Sequence, residues 1–386
     1  MAATRGLYVA LCLAASCALP TAPPQAAPQP NVVVFFVDDL GWQDVSEPFW
    51  REPTRWNARY RTPNLERLCR EGTKLTNAYA HQVCTPSRVS LLTGAAVARH
   101  RVSHWTLRAD RYTDPQRQGL LRPAWNRGGL SDDPSTVDAY CAETFPQRFD
   151  AAGYRTIMVG KAHFGAIGTP GADPTNLGFD VNVAGHAAGA PSSYLASRSF
   201  LRNRKDTTWQ VPDLERYHGT DWFLTEALTD AAIAAAADAQ RAGEPFLLYL
   251  AHYAVHTPLD PDARFVQAYR DAGLPEPEAR YAALIEGMDR SLGRVLRWLD
   301  QAGLTDETIV LFASDNGGLS AHARSGPKHA HNAPLRSGKG SAYEGGVRVP
   351  MAVRWPGEIA ADAVEQLPVS GTNQWRPLLL HVHSRS

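Results

Sequence analysis

The chain has 386 residues, 44% hydrophobic and 20% charged, with 39 Lys+Arg against 39 Asp+Glu. That length suits one large domain or two smaller ones, and the even charge balance excludes a nucleic-acid binder held mainly by phosphate contacts, which needs a basic excess. Thirty Gly and 28 Pro point to a loop-rich architecture rather than a helical bundle.

The first thirty residues read as an export signal, with Arg5 as the positive start, an uncharged apolar core from Leu7 to Leu19, and a Pro/Ala/Gln-rich stretch leading to Asn31. The apolar run is too short to span a membrane comfortably, so no transmembrane segment is expected. The expected location is secreted or periplasmic. Lipid anchoring at Cys17 ranks second, because Ala14 stands where a lipoprotein site usually has Leu. Without residues 1–30, Cys69, Cys84 and Cys141 remain, an odd set that leaves at least one cysteine unpaired even in an oxidising compartment. Whether Cys69 and Cys141 pair is open at this level.

Strand-like and helix-like segments then alternate. Asn31 to Val37 is a continuous β-branched and aromatic run, expected to form a strand covered on both faces. Thr62-Pro63-Asn64 opens a helix that runs to about Cys69 and stops near Gly72. Thr144 to Ala152 reads as a helix ended by Gly153, leading into a strand from Tyr154 to Val159. An Ala-rich helix from Asp221 to Arg241 precedes a strand from Phe246 to Ala251. A long amphipathic helix from Pro277 to Ala302 precedes a strand from Thr308 to Ala313. Val347 to Trp355 is a last strand, which Pro350 places near an edge or a bend. The alternation predicts an α/β fold with a large, mostly parallel sheet and helices on both faces. No internal repeat is visible. Residues 107–137 and 165–218 are polar and rich in Gly, Pro and Arg, as expected of surface insertions that shape a substrate pocket.

In such sheets functional residues gather beyond the carboxyl ends of the strands. Here those ends carry Asp38-Asp39-Leu40-Gly41, Gly160-Lys161-Ala162-His163, His252 with His256-Thr257-Pro258, and Ser314-Asp315-Asn316-Gly317-Gly318. Asp38, Asp39, Asp315 and Asn316 offer only oxygen ligands. Clustered carboxylates repel one another unless a cation sits among them, and oxygen donors favour Ca²⁺ or Mg²⁺ over zinc. Taken singly, the Asp-Asp and Asp-Asn-Gly-Gly runs are ordinary turns or caps. Their joint position beside Cys84 is what points to a site.

Cys84-Thr85-Pro86-Ser87-Arg88 is followed by Leu92-Thr93-Gly94. A cysteine ordinarily reads as a thiol nucleophile, a metal ligand or half a disulfide. The Cys-x-Pro-x-Arg setting suggests a side chain oxidised to an aldehyde. Ser87 to Thr93 is expected to begin a helix directly after it, with Pro86 in the first turn and free N–H groups that favour an anion.

Together with Gly338-Lys339 and the run from Glu344 to Pro350, these motifs resemble, in order and spacing from about Asn31 to Gly357, the type I (formylglycine-dependent) sulfatases. These are arylsulfatase-like members of the alkaline phosphatase superfamily. The resemblance implies hydrolysis of a sulfate ester on a small molecule or carbohydrate. It implies one Ca²⁺ per chain, ahead of Mg²⁺, held by Asp38, Asp39, Asp315, Asn316 and the formylglycine made from Cys84. Arg88 would hold and polarise the modified side chain, and Lys161 and Lys339 would contact the sulfate oxygens. His163 would accept a proton from the second hydroxyl of the aldehyde hydrate. His256 would contact the sulfate or protonate the leaving oxygen, a role shared with Lys339. A formylglycine-generating or sulfatase-maturating enzyme is the implied partner.

The implied layout is a signal peptide and linker over residues 1–30, a catalytic domain over 31–360, and an atypical tail over 361–386. In that layout the family's C-terminal antiparallel subdomain is largely missing, as if truncated. Two other readings stay open: a phosphonate or phosphodiester hydrolase using the same aldehyde and metal, and an inactive, truncated glycan-binding relative. His322, His329 and His331 are assigned to solvent-exposed loop, and His81 and His100 to structural roles. His252 is left between packing and substrate contact. Most of the ten tryptophans are assigned to the core, with sugar-stacking platforms among the remainder.

Overall fold

In the computed structural model the described residues are 29–203, 205–319, 324, 327 and 330–371. Residues 1–28, on which most of the expected export signal falls, and His322, His329 and the tail from residue 372 lie outside them. The strands are β1 (Asn31–Val37), β2 (Thr73–Tyr79), β3 (Gly129–Ser131), β4 (Ala139–Cys141), β5 (Arg155–Gly160), β6 (Val181–Val183), β7 (Phe246–Ala251), β8 (Thr308–Ser314), β9 (Arg348–Arg354), β10 (Ala363–Glu365) and β11 (Val369–Ser370). The α-helices are α1 (Pro63–Arg70), α2 (Cys84–Thr93), α3 (Val97–His100), α4 (Phe145–Ala151), α5 (Leu224–Ala242), α6 (Val266–Asp271), α7 (Glu276–Gln301) and α8 (Glu344–Val347).

The main sheet runs β10-β2-β9-β8-β1-β7-β5-β6, with β11 also paired to β2. It is parallel except for β9, which lies antiparallel to both β2 and β8. The predicted α/β class is therefore the one observed. β1 is central because every residue is apolar or buried and its side chains divide by parity. Val33, Phe35 and Val37 enter one core, and Val32, Val34 and Phe36 enter the other. Burying such a side chain is worth roughly 1.5–3 kcal/mol, so both faces hold the strand. The first core packs under α1, α5 and α7, with the alanine face of α5 (Ala227, Ala231, Ala232, Ala236) lying close. The second lies against α2 and α4. No helix among the described residues is long and apolar enough to cross a membrane.

Three expectations change. β9 is an interior strand, so of the edge or bend expected at Pro350 the edge is ruled out. Pro350 is accommodated because β2 bulges between Leu75 and Ala78 opposite it, and Arg348 donates to the bulge carbonyl of Thr76 at 2.6 and 2.9 Å. α5 starts at Leu224 rather than Asp221, because Trp222 and Phe223 are drawn into extended pairing with Leu195 and Ala196. His331 is buried, 3.4 Å from Glu278 and tilted against Trp56, not exposed on a loop. β10 and β11, which follow residue 360, both pair with β2. Cys69 is buried and Cys141 exposed, and both are free thiols.

Candidate active site

The ends of β1, β5, β7 and β8 deliver their polar residues to one place, and the first turn of α2 meets them there. Cys84 is itself the first residue of α2, and its Sγ lies 3.5 Å from Asp38 Oδ1. Ligand atoms of Asp38, Asp39, Cys84 and Asp315 all lie within 4.8 Å of one another, as do those of Asp38, Cys84 and His256. At the end of β5, Gly160 has φ +97°, and a Cβ there would sit 2.0 Å from the Ala251 carbonyl, so only glycine lets the chain turn to present Lys161. Asp39 (φ 63°) and His163 (φ 54°) occupy the left-handed region that non-glycine residues rarely adopt, a strain typical of functional positions.

Three buried carboxylates are faced by three cations. Lys161 Nζ is 2.6 Å from Asp38 and 3.9 Å from Asp315. Lys339 Nζ is 2.7 Å from Asp39. Arg88 grips Asp315 with Nε and Nη2 at 3.0 and 2.8 Å and donates from Nη1 to the Lys161 carbonyl at 2.7 Å. In this structure, then, Arg88 ties α2 to the ends of β8 and β5. Burial and the adjacent Asp315 raise the Asp38 carboxyl well above its usual range, with Lys161 opposing. Burial acts the same way on Asp39, but Lys339 and His256 outweigh it and hold that carboxyl below its usual range. At Asp315 burial is outweighed by Arg88 and Lys161, so its carboxyl is also lowered.

Asn316 Nδ2 donates to Asp39 Oδ1 at 2.9 Å and to the Gly317 carbonyl at 3.0 Å. Two acceptors on that side fix the amide orientation. Asn316 Oδ1 is left buried without a hydrogen-bond partner. An unmet amide oxygen beside three carboxylates is a donor set that fits a hard cation.

Both histidines have assignable tautomers. His163 Nε2 lies 2.7 Å from the Thr106 carbonyl, which can only accept, so Nε2 carries the proton. Thr85 Oγ1 is 3.2 Å from the same nitrogen. Nδ1 is left buried without a hydrogen-bond partner, and burial and Lys161 keep the ring neutral by lowering its pKa well below the usual value. The ring packs on Gly189, where a Cβ would come within 2.2 Å of Cε1. His256 Nδ1 is 2.8 Å from the Thr257 carbonyl, and Nε2 is 3.7 Å from Asp39 Oδ2. Burial first, then Lys339, lowers its pKa to about 3.

The residues expected to act in catalysis or metal binding, Asp38, Asp39, Cys84, Arg88, Lys161, His163, His256, Asp315, Asn316 and Lys339, thus come together here. Others join them that were given no role from the motifs. Thr85 and Thr106 orient His163. Tyr281 donates to Asp44 at 2.9 Å and to the Asp39 carbonyl at 3.3 Å, while Arg324 bridges Asp44 and Glu278. Thr85 lies inside the cysteine motif and could have been weighed; the rest have no local signal. His252 is packed, bonded to Ser291 at 2.8 Å and tilted against Phe35, away from the site. His81 and His100 share Ser90 Oγ at 2.8 and 2.9 Å on the far side of α2, as structural groups.

A sequence model named Sulfatase matches residues 30–380. A sulfatase of Formosa agariphila is 28% identical over 399 residues, taking in 92% of this chain and 68% of that protein. Human N-acetylgalactosamine-6-sulfatase is 30% identical over 360 residues, 88% of this chain and 59% of that protein. Mouse arylsulfatase J is 29% identical over 330 residues, 83% of this chain and 47% of that protein. The chain therefore spans about half to two thirds of the length of these relatives. Among solved structures, Ps i-CgsB in complex with k-i-k-neocarrahexaose superposes with a TM-score of 0.70 at 26% identity, covering 93% of this chain and 73% of that one. The phosphonate monoester hydrolase SpPMH from Silicibacter pomeroyi gives 0.61 at 18% identity over 92% and 73% of the two chains, a likeness of fold alone. With the family match running through the whole sheet and every residue of the acidic cluster, this chain belongs to the sulfatase family of the alkaline phosphatase superfamily.

Proposed function

We propose that this protein hydrolyses sulfate esters of carbohydrates, with residue 84, oxidised from cysteine to formylglycine, as its nucleophile. One Ca²⁺ would be held by Asp38, Asp39, Asp315, Asn316 and the modified residue. The observation that carries this reading is the convergence of a buried, all-oxygen acidic cluster on Cys84 at the N-terminus of α2, with Lys161, Lys339, His163 and His256 around it. The relatives named for N-acetylgalactosamine 6-sulfate and the neocarrahexaose complex support a carbohydrate substrate.

When present, the cation would neutralise charge and polarise oxygen at the reacting centre, and the aldehyde hydrate would supply one hydroxyl for attack on sulfur and a second whose deprotonation frees sulfate. The remaining chemistry belongs to the side chains. Lys161 and Lys339 offset the charge of the ester oxygens, which otherwise repels a nucleophile. Arg88 fixes Asp315 and so the geometry of the cluster. His163 Nδ1, bare and neutral, accepts a proton from a hydroxyl on residue 84. The leaving oxygen takes its proton from Lys339 Nζ or His256; the neutral state of His256 favours Lys339. The uncapped first turn of α2 adds a favourable field for an anion.

The same reading includes export through residues 1–30, a catalytic unit over 31–360 and maturation by a dedicated oxidising enzyme. The test is peptide mass spectrometry of residue 84 alongside turnover of an aryl sulfate and an aryl phosphonate ester. The expected result is an aldehyde at residue 84, faster sulfate release, and loss of turnover in Cys84→Ala. An unmodified thiol in fully active protein would overturn the nucleophile, and preference for the phosphonate would overturn the substrate class.

A further inference from the structure

A cavity of about 440 Å³ opens in front of residue 84, within the range of small-molecule sites. Its floor is catalytic: Cys84, His163, His256 and Lys339. Its walls are not. They are built mainly from Trp105 and Trp209 with Val83, Ala190 and Leu319, and His104 and Thr257 are their polar members. Among the described lining residues Lys339 is the only Lys or Arg, it is paired with Asp39, and no carboxylate lines the cavity outside the acidic cluster.

Trp105 lies just before the 107–137 insertion and Trp209 within the 165–218 insertion, and both segments are tied down. Thr106, next to Trp105, donates from its backbone N–H to Thr85 Oγ1 at 3.1 Å and accepts at its carbonyl from His163 at 2.7 Å. Gln82 donates to the Ser103 carbonyl at 3.1 Å. Trp209 accepts at its carbonyl from Ser192 N–H at 2.7 Å, and Arg108 reaches Thr208 at 3.4 Å, linking one insertion to the other. The Trp105 side of the wall is thus held by the contacts that orient His163, and the Trp209 side by bonds involving Ser192 and Arg108, so the wall is preorganised for a ligand.

We propose that this cavity selects a sulfate ester borne on a single neutral sugar ring, whose C–H face packs against Trp105 and Trp209, and disfavours sugars that carry a second anion beside the ester. This rests on the hydrolase reading above and deepens it. A sugar ring has an apolar face of axial C–H bonds that matches an indole, and its hydroxyls can keep water at the mouth. A second sulfate or a uronate carboxylate in the same space would lose its hydration against a wall whose described residues supply no Lys or Arg beyond Lys339. Burial also holds His104, at the rim, below its usual pKa, so it adds no fixed positive charge.

The experiment compares galactose 6-sulfate and N-acetylgalactosamine 6-sulfate with glucosamine 2-N,6-O-disulfate and a uronate-containing 6-sulfated disaccharide. Turnover is measured on matured full-length protein with 4-nitrophenyl sulfate as the chemical control, and binding is measured by calorimetry on Cys84→Ala. The neutral monosulfates are expected to lead in kcat/KM and in affinity by about 10-fold or more. W105A and W209A are expected to raise KM for them about 10-fold with kcat little changed. W105F, which keeps a flat ring and the packing of the loop, is expected to recover most of the loss. Equal or better binding of the doubly anionic sugars, or unchanged KM and affinity in both alanine variants, would overturn the proposal. Absence of turnover on every ester, the aryl control included, would overturn the hydrolase reading instead, and the calorimetric ranking would still decide the selectivity.

Discussion

Asn316 shows how much a single atom constrains the reading of this site. Its Oδ1 is buried without a hydrogen-bond partner while Nδ2 is fully engaged by Asp39 and Gly317. Leaving such an oxygen unmet costs roughly 1–3 kcal/mol, and three neighbouring carboxylates add repulsion. Ca²⁺ added to chelator-treated protein should therefore raise the thermal midpoint in a concentration-dependent way, because a ligand that binds only the folded state stabilises it by mass action. Asn316→Ala should weaken that response by about 10-fold in Ca²⁺ concentration, the equivalent of losing one ligand bond of modest strength. A midpoint indifferent to millimolar Ca²⁺ would remove the metal from the proposal whatever the activity does. At this scale the chemistry-bearing residues were legible, since carboxylates, lysines and histidines placed just beyond strand ends have few structural alternatives when they recur four times. Thr85, Thr106 and Gly189 were not. They act through a hydroxyl, a backbone carbonyl and the lack of a side chain, and such roles exist only once His163 has been placed against them.

Among the elements, β1, β5, β7 and β8 were readable because each is an apolar run buried on both faces, whereas β2 was not. Its sequence, Thr-Lys-Leu-Thr-Asn-Ala-Tyr, buries only Leu75 and Ala78 and is recruited by pairing with β9, β10 and β11. Pairing partners that distant leave no local trace. The junction of β2 and β9 is also where a proline sits inside a sheet. Pro350 offers no N–H, the ladder breaks at the bulge, and the Arg348 guanidinium takes the Thr76 carbonyl and Asn77 Oδ1 instead, at 2.6 and 2.7 Å from Nη2. It also lies over the Trp50 ring at 4.9 Å. Arg348→Ala should destabilise the fold by about 1–3 kcal/mol in chemical denaturation, through the carbonyl left bare and the lost ring contact. Arg348→Lys should recover only part of this, because an ammonium cannot serve the two acceptors and the ring with one planar group. Equal stability of the alanine variant and the parent would mean that water replaces Arg348 at the bulge without penalty.

Across the whole molecule the two cores share a dependence on histidines that fold as neutral groups. His252 is sealed between β7 and α7, with a pKa lowered to about 3 by burial. His100 sits beneath α2 and is lowered to about 4 by burial first and then by His81. His186 is lowered to about 4 by burial. In the unfolded chain each titrates near 6.5. Below that pH the unfolded state binds protons that the folded state refuses until near pH 4, so stability must fall as pH drops through this window. Burial raises Asp289 to about 6, which acts the other way, because the folded state takes up that proton first. Asp38 is raised as well, but His163 and His256 join the three histidines just named in being lowered, which leaves the histidines in control, and Asp315, lowered by Arg88 and Lys161, adds to the loss at the acid end. The thermal midpoint should be level above about pH 7 and decline steadily from 6.5 to 4. His252→Gln, which keeps an amide donor for Ser291 and cannot titrate, should show a shallower decline over the same interval even if its midpoint at pH 7 is lower. A midpoint that stays flat or rises between pH 6.5 and 4 would mean that these rings are charged in the folded protein. The packing of His252 against Phe35 at 5.0 Å between ring centres would then have to open to admit water.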